Sequence, residues 1–191
     1  MKNLLALFEI SGNGSAPYRE AGWRVVQVDI QAGIDILEWD YKQFRRDYFA
    51  GIIAFPPCTG YASSGARWWA EKDATGETAH YDKLVYKTLE IVQYFRPGLQ
   101  FWYIENPIGR ISKRIPEIAK YRLLDFHPCE FGDPYTKRTV LYGEFNPFLV
   151  RQHIKPTEGS KMHLIPPGDD RKNTRSETPH GFAKAFFNAN H

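Results

Sequence analysis

Short apolar runs alternate with polar or glycine-rich breaks along most of the chain. Four of these runs have the length and the β-branched or aromatic content of buried strands. They are residues 3–10, 23–30, 51–55 and 99–107. Between the third and the fourth run, residues 81–95 repeat apolar side chains at helical spacing. Alternating strands and helices predict an α/β fold with a mostly parallel sheet.

The segments between these runs predict the remaining elements of the front half. Residues 16–23 indicate a short helix that closes at Gly22, and a second short helix is expected near 40–48. Residues 59–80 are polar and carry Trp68 and Trp69 without a clear period, so we expect a long loop there.

The back third has a different pattern. Residues 130–145, EFGDPYTKRTVLYGEF, predict antiparallel strands around an Asp-Pro-Tyr turn. Residues 146–174 hold four prolines and many charges, which predicts an extended connection. The last segment, TPHGFAKAFFNAN, predicts a helix that Thr178 caps, with Pro179 in its first turn.

Length and composition favour one soluble domain spanning residues 1–191. No apolar run approaches the ~20 residues of a membrane span, and residues 1–12 lack the cleavage site of a signal peptide. Cys58 and Cys129 are too few for a disulfide framework and form no CxxC pair, so we expect no metal site. Free thiols suit a reducing cytoplasm.

The net charge of +3 is unevenly distributed along the chain. Residues 1–109 carry a net charge of −2, and residues 110–191 carry +5. This asymmetry permits a phosphate-bearing partner such as DNA, and a solvated surface with scattered lysines explains it equally well.

The unusual residue groups all follow predicted strands. The glycine turn SGNGS, residues 11–15, follows the first strand, and Asp29 ends the second. Asp35 comes shortly afterwards, Cys58 follows the third strand, and Glu105-Asn106 end the fourth. In a doubly wound sheet, ligands bind beyond the carboxyl ends of the strands, so these groups are expected to form one site.

The first two groups indicate a nucleoside-type ligand. The glycine turn has neither a phosphate-binding lysine nor the complete GxGxxG pattern, which disfavours a dinucleotide or a nucleoside triphosphate. S-adenosylmethionine fits better, with its ribose at Asp29, its adenine near Asp35 and its methionyl tail over the glycine turn.

Cys58 and Glu105 are the candidate chemical groups. A thiol is nucleophilic as a thiolate, and a loop at a strand end can supply the N–H groups that favour it. The alternative for Cys58 is an inert buried thiol, and the alternative for Glu105 is a carboxylate satisfied by nearby N–H groups. Their position on neighbouring strands favours a shared site.

Together these motifs resemble those of the DNA (cytosine-5) methyltransferase family, in family order over nearly the whole chain. SGNGS with Asp29 is similar to its cofactor motif, Pro56-Pro57-Cys58 to its nucleophile motif, and IENP to its Glu-Asn-Val motif. YTKRTVLYG is similar to its basic strand, and RSETPHGFAKAFF to its late Arg-x-x-Thr-Pro motif. The resemblance implies a Rossmann-like methyltransferase fold and a covalent Cys58 adduct with cytosine C6 during methyl transfer to C5.

The resemblance also implies a role for each matching residue. The catalytic residues would be Cys58, Glu105, Asn106 and Arg138. The cofactor would contact Phe8, Ser11, Gly12, Gly14, Asp29, Ile30, Asp35, Ile36 and Pro56. The substrate would contact Pro57, Ser63, Ser64, Arg67 and Lys137.

The sequence departs from the family in several ways, two of which bear on substrate recognition. Val140 stands where the basic strand has its second arginine, and residues 145–174 replace a large target-recognition region. We therefore expect low sequence specificity, or specificity supplied by a separate recognition subunit or a homodimer. A compact enzyme of this kind suits the cytoplasm of a bacterial or phage-infected cell.

Several alternatives stay open at this point. RNA or a free cytosine nucleotide would serve the same chemistry, and a degenerate methyltransferase fold would serve as a nucleic-acid-binding or regulatory module. An amino-group methyltransferase is disfavoured because Phe55-Pro56-Pro57-Cys58 lacks the polar side chain and the aromatic residue of that signature.

Overall fold

The computed structural model describes residues 1–160, 164–166 and 171–191. Within these ranges the strands are Asn3–Leu7 (β1), Arg24–Val28 (β2), Gly51–Ala54 (β3), Phe101–Pro107 (β4), Arg122–Phe126 (β5) and Thr139–Glu144 (β6). The α-helices are Ala16–Glu20 (α1), Trp69–Ala74 (α2), Glu77–Phe95 (α3), Ile111–Arg114 (α4), Pro116–Ala119 (α5), Arg171–Ser176 (α6) and His180–Ala189 (α7). Short 3-10 helices span Ile30–Ala32, Tyr41–Gln43, Ser63–Trp68, Arg96–Gly98 and Pro128–Glu130. None of the helices in the described part is long and apolar enough to cross a membrane.

The strands form one six-stranded sheet in the order β2-β1-β3-β4-β6-β5. The first four of these run parallel, β6 runs antiparallel to β4, and β5 runs antiparallel to β6. The sequence prediction of a mostly parallel α/β sheet with an antiparallel C-terminal part is confirmed, and the arrangement is Rossmann-like.

Helices cover both faces of the sheet because the central strands are apolar on both faces. On one face, α3 buries Leu84, Val85, Ile91, Val92 and Phe95 against β1, β3, β4 and β6. On the other face, α1 contributes Tyr18 and α7 contributes Phe182 and Phe186. The two cores hold the strands in fixed register, so the groups at the strand ends have fixed relative positions.

Two expectations for the front half were wrong. The segment 40–48 contains only the 3-10 turn Tyr41–Gln43, because the Asp40 carboxylate accepts the Lys42 N–H and favours a tight turn. The segment 59–80 is largely helical, with a 3-10 helix, α2 and the start of α3. The 3-10 helix and α2 contain no buried residue, so they carry no apolar period that a sequence pattern could reveal.

The antiparallel pair of the back third is β5 and β6, and β5 lies before the segment expected to hold the first strand. The Asp-Pro-Tyr residues lie in the connection between them, where Pro128 and Pro134 have no N–H to donate to a strand ladder. Within the expected extended connection, residues 146–160 and 164–166 form no helix or strand, and a single bridge joins Gln152 to Phe131. Residues 161–163 and 167–170 of that segment lie outside the described residues.

The expected capping of the last helix by Thr178 is wrong. The residue that precedes the first turn of α7 is Pro179, and no side chain caps the helix. Thr178 is buried instead and packs beside Gly14. This contact places the start of α7 against the first glycine turn.

Candidate active site

The carboxyl ends of β1, β2, β3 and β4 lie at one edge of the sheet because these strands are parallel. Because β6 is antiparallel to β4, its start lies at the same edge, with Thr139 opposite Pro107. This edge therefore collects the glycine turn, Asp29, Cys58 and Glu105, and it also receives Lys137, which precedes β6.

Cys58 lies in a tight loop after β3. Its backbone carbonyl accepts the N–H groups of Tyr61 and Ala62, each at 2.9 Å. The residue is exposed, yet protein atoms surround the thiol closely enough that desolvation raises its pKa. The Glu105 carboxylate raises this pKa further, whereas a lysine and an arginine from the back third of the chain lower it.

Those two cations are Lys137 and Arg175, and Lys137 also faces Glu105. The distance from Lys137 Nζ to Glu105 Oε1 is 3.8 Å, and both side chains are mostly buried, with 16% and 14% exposed. Lys137 Nζ donates a hydrogen bond of 3.2 Å to the backbone carbonyl of Arg175 in α6. The thiol, the carboxylate and the ammonium therefore belong to one electrostatic cluster at the sheet edge.

Arg138 lies outside this cluster. Its guanidinium pairs with Asp125 Oδ2 at 2.9 Å, and about half of the side chain is exposed, at 52%. Arg138 thus pairs with Asp125 of β5, whereas Lys137 faces Glu105. The cation beside Glu105 is Lys137, which sequence analysis assigned only to the substrate.

Asn106 connects β4, the strand that carries Glu105, to the loop that carries Cys58. Its fully buried side chain donates from Nδ2 to the backbone carbonyl of Pro56 at 3.3 Å. Its Oδ1 atom is buried without a hydrogen-bond partner among the described residues. Pro56 is buried and Pro57 is half-buried, so the chain before Cys58 is held tightly against β4.

The residues expected to contact a substrate backbone lie on the exposed 3-10 helix after Cys58. Ser63 and Ser64 are exposed, and the Ser63 N–H donates to the carbonyl of Ile108 at 3.0 Å. The Arg67 guanidinium lies 5.1 Å from the ring centre of Trp68, which is itself 49% exposed. This 3-10 helix thus presents an exposed cation next to an exposed aromatic ring.

The backbone conformation and the packing of the turn after β1 are enough to require glycine there. Gly12 has a positive φ of 74°, and a Cβ atom on Gly14 would lie 2.9 Å from Phe55 Cζ. Arg19 approaches the Gly12 side of the turn, and Ser11 Oγ accepts the Asn13 N–H at 3.3 Å. The expected close approach of a ligand to these glycines is therefore not needed to explain them.

Glu9 bonds the backbone of this turn and was not among the residues expected at the site. Its carboxylate accepts the N–H groups of Gly14 and Ser15, at 2.5 and 3.0 Å, and the side chain is 3% exposed. Burial raises the pKa of Glu9, and its Oε2 atom has no partner among the described residues. An acid directly after an apolar strand was a readable signal, the same one that pointed to Asp29 and Glu105.

The end of β2 fits a nucleoside-type ligand better than the glycine turn does. Asp29 is buried and accepts the Gln31 N–H at 2.8 Å, and the neighbouring Ile30 is 67% exposed. Asp35 is half-buried and accepts the Leu37 N–H at 2.9 Å. Carboxylates beside an exposed apolar side chain suit ribose hydroxyls and a planar base.

Two other residues expected at the cofactor belong to the core. Ile36 is 4% exposed and lies in the core under α3. Phe8 is half-buried, packs against the same core and has a φ of 58°, a left-handed conformation unusual for a bulky residue. That strained position turns the chain from β1 into the glycine turn.

The C-terminal helices lie over the strand-end edge. In α6, Asn173 exchanges two amide hydrogen bonds with Gln31, at 3.1 and 3.2 Å. Between Glu105, Lys137, Thr139 and the start of α7 is a cavity of about 10 Å³, enough for about one water molecule. A larger groove of about 440 Å³ lies between α1 and α7, away from Cys58.

Comparisons with solved structures find 81 similar chains, while no protein-family model and no curated protein matches this chain. A DNA modification methyltransferase encoded within an E. coli prophage matches 75% of this chain and 46% of its own, with 16% identity and a TM-score of 0.47. The Entamoeba histolytica methyltransferase EhMeth matches 88% of this chain and 61% of its own, with 15% identity and a TM-score of 0.47. The chain spans less than two thirds of the length of either protein.

Proposed function

We propose that this protein transfers a methyl group from S-adenosylmethionine to C5 of cytosine in DNA through a covalent bond to Cys58. One observation carries the proposal. An exposed thiol and a carboxylate from neighbouring parallel strands share one electrostatic cluster with Lys137 and Arg175. A nucleophile and a hydrogen-bonding acid that converge on one point are the groups that chemistry on a flat heterocycle requires.

Cys58 would act as the nucleophile. Its proton must first leave, and the charges of Lys137 and Arg175 favour the thiolate against the desolvation that opposes it. The thiolate sulfur then forms a bond to cytosine C6, and the electrons of the C5–C6 double bond move toward C5. This step makes C5 nucleophilic, which it is not in free cytosine.

Glu105 would hold the cytosine ring in place. Its carboxyl group would hydrogen-bond the ring N3 and the exocyclic amine, where charge develops after the attack at C6. Lys137, 3.8 Å from the carboxylate, orients it. Asn106 fixes the loop of Cys58 relative to the same strand through the Pro56 carbonyl.

Asp29, Asp35 and Ile30 would hold the ribose and the base of the cofactor at the end of β2. When bound, S-adenosylmethionine supplies an electrophilic methyl group. After the transfer, a base removes the proton from C5, the C5–C6 double bond forms again, and the bond between C6 and the Cys58 sulfur breaks. The thiol is then free for another cycle.

A cytosine in duplex DNA must leave the base stack before Cys58 can reach it, which costs a few kcal/mol. Arg67, Trp68 and the serines of the 3-10 helix that follows Cys58 are exposed and suit contacts to the displaced strand. Specificity would come from a separate recognition subunit or from a second copy of the chain, because residues 145–174 give little surface for reading the major groove.

DNA containing 5-fluorocytosine tests this function directly, because fluorine at C5 blocks release after methyl transfer. Incubation with labelled S-adenosylmethionine should give a covalent protein–DNA adduct that withstands denaturation. The adduct should be absent with Cys58→Ser and present with Cys129→Ser, the matched control. RNA and free cytosine nucleotides, assayed in parallel, identify the substrate class. Failure to form an adduct with any of these substrates would refute the proposal.

A second candidate, a nucleic-acid-binding module built on this fold, is favoured by one observation. The space around the glycine turn is filled by Phe55, Thr178 and Arg19, and the cavity beside Glu105, of about 10 Å³, has room for about one water molecule. Binding of DNA without binding of S-adenosylmethionine, measured by calorimetry, would support this candidate over the enzyme.

A further inference from the structure

Arg110 lies five residues after Glu105, in the loop that follows β4, and its guanidinium contacts three separate segments. Nε donates to the backbone carbonyl of Gly60 at 2.9 Å. Nη1 and Nη2 donate to the two carboxylate oxygens of Asp73 at 2.7 and 2.8 Å, and Nη2 also lies 3.2 Å from Thr78 Oγ1. The side chain is only 12% exposed, so the guanidinium is held inside this network.

The first of these contacts reaches the loop of the nucleophile. Gly60 is two residues after Cys58, and its carbonyl points at the arginine. The Arg110 backbone N–H donates to the Tyr61 carbonyl at 2.9 Å, and Gly109 forms a bridge with Ala62. A Cβ atom on Gly109 would lie 1.9 Å from the Tyr61 carbonyl oxygen, so only glycine permits this approach.

The second contact fastens the exposed helices that follow Cys58. The Arg110 guanidinium lies 4.6 Å from the ring centre of Trp69, at the start of α2. Hydrogen bonding from Arg110 lowers the pKa of Asp73 to about 2, so this pair stays ionised at any working pH. Since the 3-10 helix and α2 bury no residue, a planar, bidentate pair is a principal means of holding them.

We propose that Arg110 is a positioning residue that fixes the Cys58 thiol relative to Glu105. The Arg110 side chain bonds both the Cys58 loop and α2, and its backbone follows β4, the strand that carries Glu105. Its effect on turnover rests on the proposed function, whereas its effect on the thiol does not.

The reactivity of the Cys58 thiol toward iodoacetamide tests this role without an assay of methyl transfer. Protein atoms desolvate the Cys58 thiol, and Glu105, Lys137, Arg175 and Tyr81 interact with it electrostatically. Arg110→Lys keeps the positive charge but loses the bidentate geometry of the guanidinium. The Cys58 loop should then be held less tightly, and the thiol should become more solvated. Since desolvation now raises the pKa of the thiol, release should speed alkylation at pH 7.5 by about tenfold, the effect of one charged hydrogen bond.

Cys129 serves as an internal reference when the alkylated peptides are quantified by mass spectrometry. Arg45→Lys is the matched control, because Arg45 forms a similar bidentate pair with Asp47 on the exposed surface. Arg45→Lys should leave both thiols unchanged, and Arg110→Lys should speed Cys58 alone. A Cys58 rate within twofold of the wild-type rate, or an equal rise at Cys129, would overturn the proposal.

Two further measurements keep the test decisive. If Arg110→Lys does not fold, Asp73→Asn releases the bidentate pair while leaving the arginine in place, and Cys58 alkylation should then rise about threefold. In an active enzyme, Arg110→Lys should lower kcat about tenfold with unchanged cofactor affinity. A wild-type protein without methyl transfer would refute the proposed function, and the alkylation rates would still decide the role of Arg110.

Discussion

The two halves of the strand-end edge satisfy their polar groups in different ways. At the ends of β1 and β2 the partners are local: Asp29 bonds Gln31, Asp35 bonds Leu37, and Glu9 bonds Gly14 and Ser15. At the ends of β3 and β4 the partners come from distant segments, since Lys137 and Arg175 act on Cys58 and Glu105.

This difference indicates where the structure serves chemistry. A local hydrogen bond shapes a turn and needs no further explanation. A cluster that brings together residues 58, 105, 137 and 175 must overcome the entropy of closing long loops, and it leaves an exposed thiol at its centre. The β3–β4 half is therefore the stronger functional candidate, and the β1–β2 half is tested most sharply by ligand binding.

The largest effect is expected from Cys58→Ser. An alcohol at this position is far less nucleophilic than a thiolate, so methyl transfer to cytosine should fall by roughly 10⁴-fold or more. Radiolabelled methyl incorporation measures this loss, and equilibrium dialysis of S-adenosylmethionine should show unchanged affinity. Cys129→Ser should keep full activity. Retained turnover in Cys58→Ser would remove the nucleophile from the mechanism.

A smaller loss is expected from Glu105→Gln. The amide keeps the shape but cannot offer both the acceptor and the acid that the cytosine edge requires, so kcat should fall by about 10² to 10³. Cofactor affinity should stay within twofold. Glu38→Gln, a change at an exposed acid, should leave kcat unaltered. Equal losses in kcat and in cofactor affinity would contradict the assigned role.

The other half of the edge is tested by Asp29→Asn. An asparagine still accepts the Gln31 N–H and so keeps the turn, but it loses the charge expected to bind ribose hydroxyls. The Kd for S-adenosylmethionine should rise about tenfold, with the kcat at saturation retained. Asp40→Asn is the matched control because Asp40 makes the same kind of cap to Lys42. An unchanged Kd would leave Asp29 as a cap alone.

The position of the candidate site could be predicted from the sequence because the carboxyl ends of parallel strands meet at one edge of a sheet. Any acid or thiol that follows an apolar run must lie where the strands end, and this rule placed Cys58, Glu105 and Asp29 at one edge. The apolar spacing of residues 81–95 also identified α3, since a helix that buries one face carries a readable period.

The sequence could not predict which way a side chain points or which residues, far away along the chain, it contacts. YTKRTV contains two adjacent cations, and only the folded structure shows that Lys137 faces Glu105 whereas Arg138 pairs with Asp125. Arg110 carries no motif, and its role follows from a fold that brings residues 60, 73 and 78 together. Such contacts have no trace in local composition.

The smallest effect, on stability alone, is expected from Glu9→Gln. Burial raises the pKa of Glu9 above its ordinary value of 4.5, so the unfolded chain releases this proton at a lower pH than the folded protein does. The contribution of Glu9 to stability is therefore fully present below pH 4.5 and falls as the pH rises toward the folded pKa. Glutamine cannot titrate, so between pH 4.5 and the folded pKa of Glu9 the free energy of unfolding of the variant should rise relative to that of the wild type. Urea unfolding between pH 4 and pH 7 measures the difference, with Glu20→Gln on the exposed face of α1 as the control. A difference that stays constant with pH would mean that Glu9 is ionised in the fold, and that its unpartnered oxygen is solvated or bound.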